Sequence, residues 1–132
     1  MKFRNSLILA STTLLCAACT SFEGAYSPNC AAYEGDRISL NAGRFTWDRF
    51  TDAIPVDDAG NPADPLPEYP MRGTYTRDGG VLSLRTDSGD TLESLHVRRE
   101  HGRYYLLTEA QMGHLERAGE VPQCALVLGG FD

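Results

Sequence analysis

Two runs of strict polar and apolar alternation, joined by a two-residue turn, constrain this chain more than any other feature. Arg37-Ile38-Ser39-Leu40-Asn41 alternates, Ala42-Gly43 turns, and Arg44-Phe45-Thr46-Trp47-Asp48-Arg49-Phe50 alternates again. A period of two puts every second side chain on one face, so Ile38, Leu40, Phe45 and Trp47 share the buried face of one β-hairpin. No helix can place those four residues together. The pattern recurs downstream in Gly73 to Arg77, a turn at Asp78-Gly79-Gly80, and Val81 to Arg85. After a turn at Asp87-Ser88-Gly89-Asp90, Thr91 to Arg99 reads as a strand with Leu95 and Val97 inward. Leu92 is out of phase there, which points to a bulge near Glu93-Ser94. Glu100-His101-Gly102 turns into Arg103 to Leu107.

Three segments complete the meander. Gly24-Ala25-Tyr26 begins a short first strand, and Gln123 to Leu128 reads as the last. Thr108-Glu109-Ala110-Gln111 fits a capping box and Gly119 a helix end, so a short helix precedes the last strand, with Met112 and Leu115 facing the sheet. Residues 51–71 are different in kind. They hold five of the seven prolines, together with Asp57, Asp58, Asp64 and Glu68. Proline cannot donate to a sheet ladder, so this stretch is a long acidic excursion and a candidate partner-binding loop.

The first 20 residues are of another type again. Lys2 and Arg4 precede an apolar run from Leu7 to Leu15, too short for the roughly 20 residues that span a bilayer. Small Ala17 and Ala18 then stand before Cys19. This resembles the signal segment of bacterial lipoproteins, although Cys16 stands where that family usually carries leucine. The resemblance implies a leader at residues 1–18, lipid attachment at Cys19, a tether at 19–29 and one domain at 30–132. Thr20 in place of aspartate after the cysteine implies the outer membrane as destination. Acyl chains add about 0.8 kcal/mol of membrane affinity per buried methylene, so the expected partner at this end is the bilayer itself.

Removing that leader leaves 114 residues, with 10 arginines against 18 carboxylates and a net charge of −8. Such a surface repels phosphate backbones, which excludes nucleic acid and is compatible with a basic envelope protein. Of the four cysteines, Cys30 and Cys124 remain for the folded domain. In the oxidising compartment implied by the leader they read as a disulfide, with free thiols or a metal pair as the alternative. Their pairing would bring the two ends of the meander together. Eight short antiparallel strands can close into a barrel, so the expected fold is mainly β, a meander closing into a barrel with one short helix. The arrangement resembles the small lipocalin-like barrels among bacterial lipoproteins in architecture alone.

Catalytic chemistry has little to build on. His96, His101 and His114 lack ligand spacing, no Gly-x-Ser-x-Gly elbow occurs, and no cofactor motif is present. Asp57, Asp58 and Asp64 offer hard oxygen ligands but not the spacing of a calcium loop. The inward aromatic set, Phe45, Trp47, Tyr75 and Tyr104, either fills the barrel or lines a ligand pocket, and strands this short favour filling. The expected function is therefore non-catalytic binding of another envelope macromolecule through the loops. Carriage of a small apolar ligand in the barrel interior is the alternative. A lysozyme-inhibitor-like lipoprotein is a sharper version of the first reading, since an acidic surface suits a basic enzyme.

Overall fold

The computed structural model describes residues 21–30, 36–49, 56–62 and 68–130. The expected leader, Cys19, Phe50 and Asp64 lie outside them. Eight antiparallel strands close a barrel in sequence order: β1 (Gly24–Pro28), β2 (Arg37–Asn41), β3 (Arg44–Asp48), β4 (Met71–Asp78), β5 (Val81–Thr86), β6 (Leu95–Glu100), β7 (Arg103–Leu107) and β8 (Leu126–Leu128). Closure comes from β1 against β8, with Tyr26 opposite Leu128 and Pro28 opposite Leu126.

Alternation does what the sequence requires of it. Ile38 pairs with Trp47 and Leu40 with Phe45, all four inward. Tyr26, Ile38, Leu40, Phe45, Leu82 and Leu84 are each at most 2% exposed and fill the interior. Burying side chains of this size contributes roughly 1.5 to 3 kcal/mol each, so the packed interior is the main source of stability.

Helix α1 (Glu109–Ala118) begins at Thr108, whose hydroxyl accepts from the Gln111 backbone N–H while the Gln111 side chain accepts from the Thr108 N–H. It ends at Gly119, whose φ of 72° and N–H bond to the Leu115 carbonyl close the last turn. Leu115 is buried and Met112 half-buried against Tyr105, Leu107, Ala125 and Val127, the outer face of β7 and β8. This outer cluster explains why Tyr105, Leu106 and Leu107 are buried in succession. Both faces of β7 are covered, one by the interior and one by the helix.

Two expectations are corrected and one is refined. The strand expected from Thr91 begins only at Leu95, but pairing with β5 continues before it: Thr91 bridges Arg85 and the Leu92 N–H bonds to the Leu84 carbonyl. Between Leu82 opposite Leu95 and Arg85 opposite Thr91 the register shifts by one residue, so the extra residue expected near Glu93-Ser94 is present. The last strand is three residues long, and Cys124 precedes it at a φ of 62°, a left-handed conformation that no ladder accepts. At the other edge of the acidic excursion, β4 already begins at Met71, which pairs with Trp47.

The two ends of the barrel differ. Three two-residue turns, Ala42-Gly43, Gly79-Gly80 and His101-Gly102, lie at one end. Gly43 and Gly102 each take a φ of 79°, as the second position of such hairpin turns demands. Phe22 packs against the interior at this end, edge-on to Tyr75 at 6.1 Å, with the Arg77 guanidinium 4.4 Å from its ring centroid. Every long connection (29–36, 49–70, 87–94 and 108–125) emerges at the opposite end. One end is sealed and the other open.

Candidate functional site

The open end holds a solvent-accessible recess of about 540 Å³, within the range of small-molecule pockets. Strand periodicity builds it in two layers. The floor is Pro28, Trp47, Leu95, Leu106 and Leu126, the last inward apolar positions of β1, β3, β6, β7 and β8. Two residues further out along β2, β3 and β6, on the same parity, the chain turns polar. Asp36, Arg49 and Glu93 form a rim, joined by Thr108 and Gln111 from the start of α1 and by Gln123. Arg49, Glu93 and Gln123 are exposed, whereas Asp36, Thr108 and Gln111 are half-buried.

Arg49 stands 5.4 Å from the Trp47 ring centroid, a cation–π contact at the boundary between floor and rim. The Cys30–Cys124 disulfide forms at the same end, with Cα atoms 4.9 Å apart, and Cys124 lines the recess. It ties the β1–β2 connection to the β7–β8 connection, so the wall between them is covalent.

The four inward aromatics separate by height in the barrel. Trp47 lines the recess. Phe45, at 2% exposure, is part of the filled interior, and Tyr75 and Tyr104 belong to the sealed half. The Tyr75 hydroxyl donates to the Glu23 carboxylate, and the Tyr26 hydroxyl donates to the Phe22 carbonyl. Burial first, and then the Glu23 carboxylate, push the Tyr75 hydroxyl up to about 12. Burial also raises Tyr26. The Tyr75 hydroxyl, followed by the backbone N–H of Ala42 and of Gly43, holds the Glu23 carboxyl below its ordinary value. This network seals the floor opposite the recess and is remote from it.

Of the acidic loop, Asp57, Asp58 and Glu68 are described and exposed. Asp57 is turned onto its own segment: its carboxylate accepts from the Ala59 and Asn61 N–H groups, within a small turn closed by the Val56–Pro62 bridge. That carboxylate stabilises a local turn, as aspartate commonly does. Val56, at 61% exposure, is the one large apolar side chain fully presented to solvent among the described residues.

Sequence reasoning did not find the rim residues Asp36, Arg49, Gln111 and Gln123. The signal was present in the alternation of short turns with long connections, which in a meander sends all long connections to one end. It also did not join His96 to Glu109, whose Nε2 and Oε2 lie 2.6 Å apart and pin α1 to β6. Among the described residues no three His, Cys, Asp or Glu side chains are grouped to hold a metal, and no helix is long and apolar enough to cross a membrane. No protein-family model, curated protein or solved structure matches the chain.

Proposed function

We propose that the protein is a non-catalytic, lipid-anchored envelope lipoprotein that binds another envelope macromolecule with the open end of its barrel. The observation that carries this reading is the inequality of the ends: one sealed by two-residue turns and Phe22, the other bearing every long connection around a recess of about 540 Å³. Binding sites concentrate on loops held by a rigid scaffold, and here the scaffold offers loops at one end.

The direction of the chain supports the anchor. Residues 21–23 enter β1 at the sealed end, so lipid attached at Cys19 would leave that end toward the bilayer and the open end away from it. The acidic excursion leaves β3 and rejoins β4 at the open end, and it presents Val56 and Glu68 to solvent.

The alternative, a carrier of a small apolar ligand, draws support from the apolar floor around Trp47. Because Tyr26, Ile38, Leu40 and Phe45 fill the interior, such a ligand would lie at the mouth and not deep in the barrel.

The test replaces residues 51–70 with a short glycine-serine link and compares capture of envelope components by the two lipidated chains. Capture should be lost while the barrel keeps its circular dichroism. Undiminished capture refutes the reading. Palmitate labelling that persists in a Cys19→Ser chain refutes the anchor separately.

A further inference from the structure

We infer that the sealed end of the barrel seats on the phosphate groups of a phospholipid surface, with Arg77 and Arg99 as its contacts. The inference rests on the anchor reading above and adds a second, non-covalent hold to it.

Covalent reach brings the surface close. Phe22 follows Cys19 by three residues, and three residues span at most about 11 Å. Phe22 in turn is tied to the barrel: it packs on the interior, its carbonyl accepts from the Tyr26 hydroxyl, and its ring lies edge-on to Tyr75. Lipid at Cys19 would therefore hold the sealed end within about 11 Å of the headgroups, close to the roughly 8 Å over which charge acts at physiological salt.

Strand parity then decides what that end presents. Two residues beyond the last inward side chain, β2, β3, β5, β7 and β8 each offer alanine or glycine, from Ala42 to Gly130. On β4 and β6 the same step beyond Tyr75 and Val97 reaches Arg77 and Arg99, both exposed. Each guanidinium lies over an aromatic ring, Arg77 4.4 Å from the Phe22 centroid and Arg99 5.7 Å from that of Tyr104. Such stacking occupies the flat face of a guanidinium and leaves its N–H edge for an oxyanion. The Arg77 Nε donates to the Gly79 carbonyl, which steadies the group without using its terminal nitrogens. A planar edge of paired donors takes phosphate oxygens two at a time.

The neighbouring charges do not cancel the pair. Glu23 turns its carboxylate onto the Tyr75 hydroxyl and the backbone N–H groups of Ala42 and Gly43, and Glu100 holds Arg98. Asp78 lies at outward parity, on the flank of β4. With Arg103, whose guanidinium reaches the Gly130 carbonyl, three arginines stand against the Glu23 and Asp78 carboxylates. The negative excess of the chain lies elsewhere: residues 51–70, which leave and rejoin the barrel at the open end, hold five carboxylates and no lysine or arginine. An anionic surface thus repels the open end and accepts the sealed one.

Arginine-selective labelling with phenylglyoxal, read residue by residue by mass spectrometry, tests this on the lipidated chain. The chain is held either in vesicles of phosphatidylglycerol and phosphatidylcholine or in vesicles of digalactosyldiacylglycerol, a bilayer without phosphate. Arg77 and Arg99 should label about fivefold more slowly in the phospholipid, the scale for an arginine at an anionic surface, while the exposed Arg72 and Arg85 on the barrel flank should not change. Amide exchange at Gly79-Gly80 and His101-Gly102 should slow in the same phospholipid vesicles. The Arg77→Gln, Arg99→Gln variant should lose that protection while circular dichroism shows an intact barrel. Equal labelling of Arg77 and Arg99 in the two bilayers, or protection that survives in the variant, overturns the inference. Equal slowing by inorganic phosphate in the digalactosyldiacylglycerol vesicles also overturns it, and assigns the pair to a soluble anion. If the lipidated chain stays with the vesicles while Arg77 and Arg99 label equally in both, this inference falls and the anchor stands. A chain that takes no lipid at Cys19 refutes the anchor itself, and this inference with it.

Discussion

Cys30 and Cys124 are 94 residues apart, and their bond should supply a large share of this domain's stability. In the chain-entropy description a cross-link closing a loop of about 95 residues removes roughly 16 cal/mol/K from the unfolded ensemble, or about 4.7 kcal/mol at 25 °C. Unfolding entropy near 2.1 cal/mol/K per residue, over about 110 residues, makes each kcal/mol worth about 4 °C in Tm. The double variant Cys30→Ala, Cys124→Ala should therefore melt roughly 20 °C below the oxidised protein. Alanine at 124 meets the same left-handed backbone as the cysteine it replaces, at a φ of 62°, so that cost cancels in the comparison. Thermal and urea unfolding followed by circular dichroism give the answer. The urea m-value should also rise, because the unfolded chain without the link is less compact. A fall in Tm below about 5 °C would refute the reasoning. It would mean that the unfolded chain already keeps β1 near β8, leaving the bond little freedom to remove.

Other expectations concern the barrel wall and its sealed end. Gly73 lies where β4 and β5 approach so closely that a Cβ would stand 1.9 Å from the Arg85 carbonyl oxygen and 2.7 Å from the Thr86 Cα. Both are backbone atoms, so Gly73→Ala should cost about 1 to 3 kcal/mol in urea unfolding, and a neutral result would show that the strands separate freely there. Alkaline pH should loosen the sealed end. The Tyr75 hydroxyl ionises near 12 in the folded protein and near 10 when unfolded, so its contribution is complete below pH 10 and is lost as pH rises from 10 to about 12. The urea midpoint should fall between pH 10 and pH 12, by less in Tyr75→Phe, and a flat midpoint would contradict the burial of this hydroxyl.

The hairpin of β2 and β3 was legible because its alternation is local: Ile38, Leu40, Phe45 and Trp47 had to share a face whatever surrounded them. The capping box at Thr108 was legible for the same reason, since its partners lie within one turn. Leu92, out of phase with Leu95 and Val97, was legible as a register irregularity, and the pairing with β5 does shift there by one residue. Where the reading failed, a distant contact had decided. Cys124 looked like strand, but the disulfide to Cys30 holds it in a turn. Tyr105 and Leu107 broke the alternation because a helix lies over their face, and that helix is positioned in part by His96 and Glu109, thirteen residues apart.

The sequence by itself determined parity: which side chains face inward and where two-residue turns reverse the chain. It also determined that a meander of such strands has edges to hide, which closure achieves. Tertiary structure alone decided height. Phe45, Trp47, Tyr75 and Tyr104 share one parity, yet Trp47 lines a recess while Phe45 packs the interior and the tyrosines lie in the sealed half. The physical reason is that inward or outward direction follows from a period of two within one strand. The layer a side chain joins depends on the stagger between strands, which is set only when β1 and β8 meet and the barrel closes.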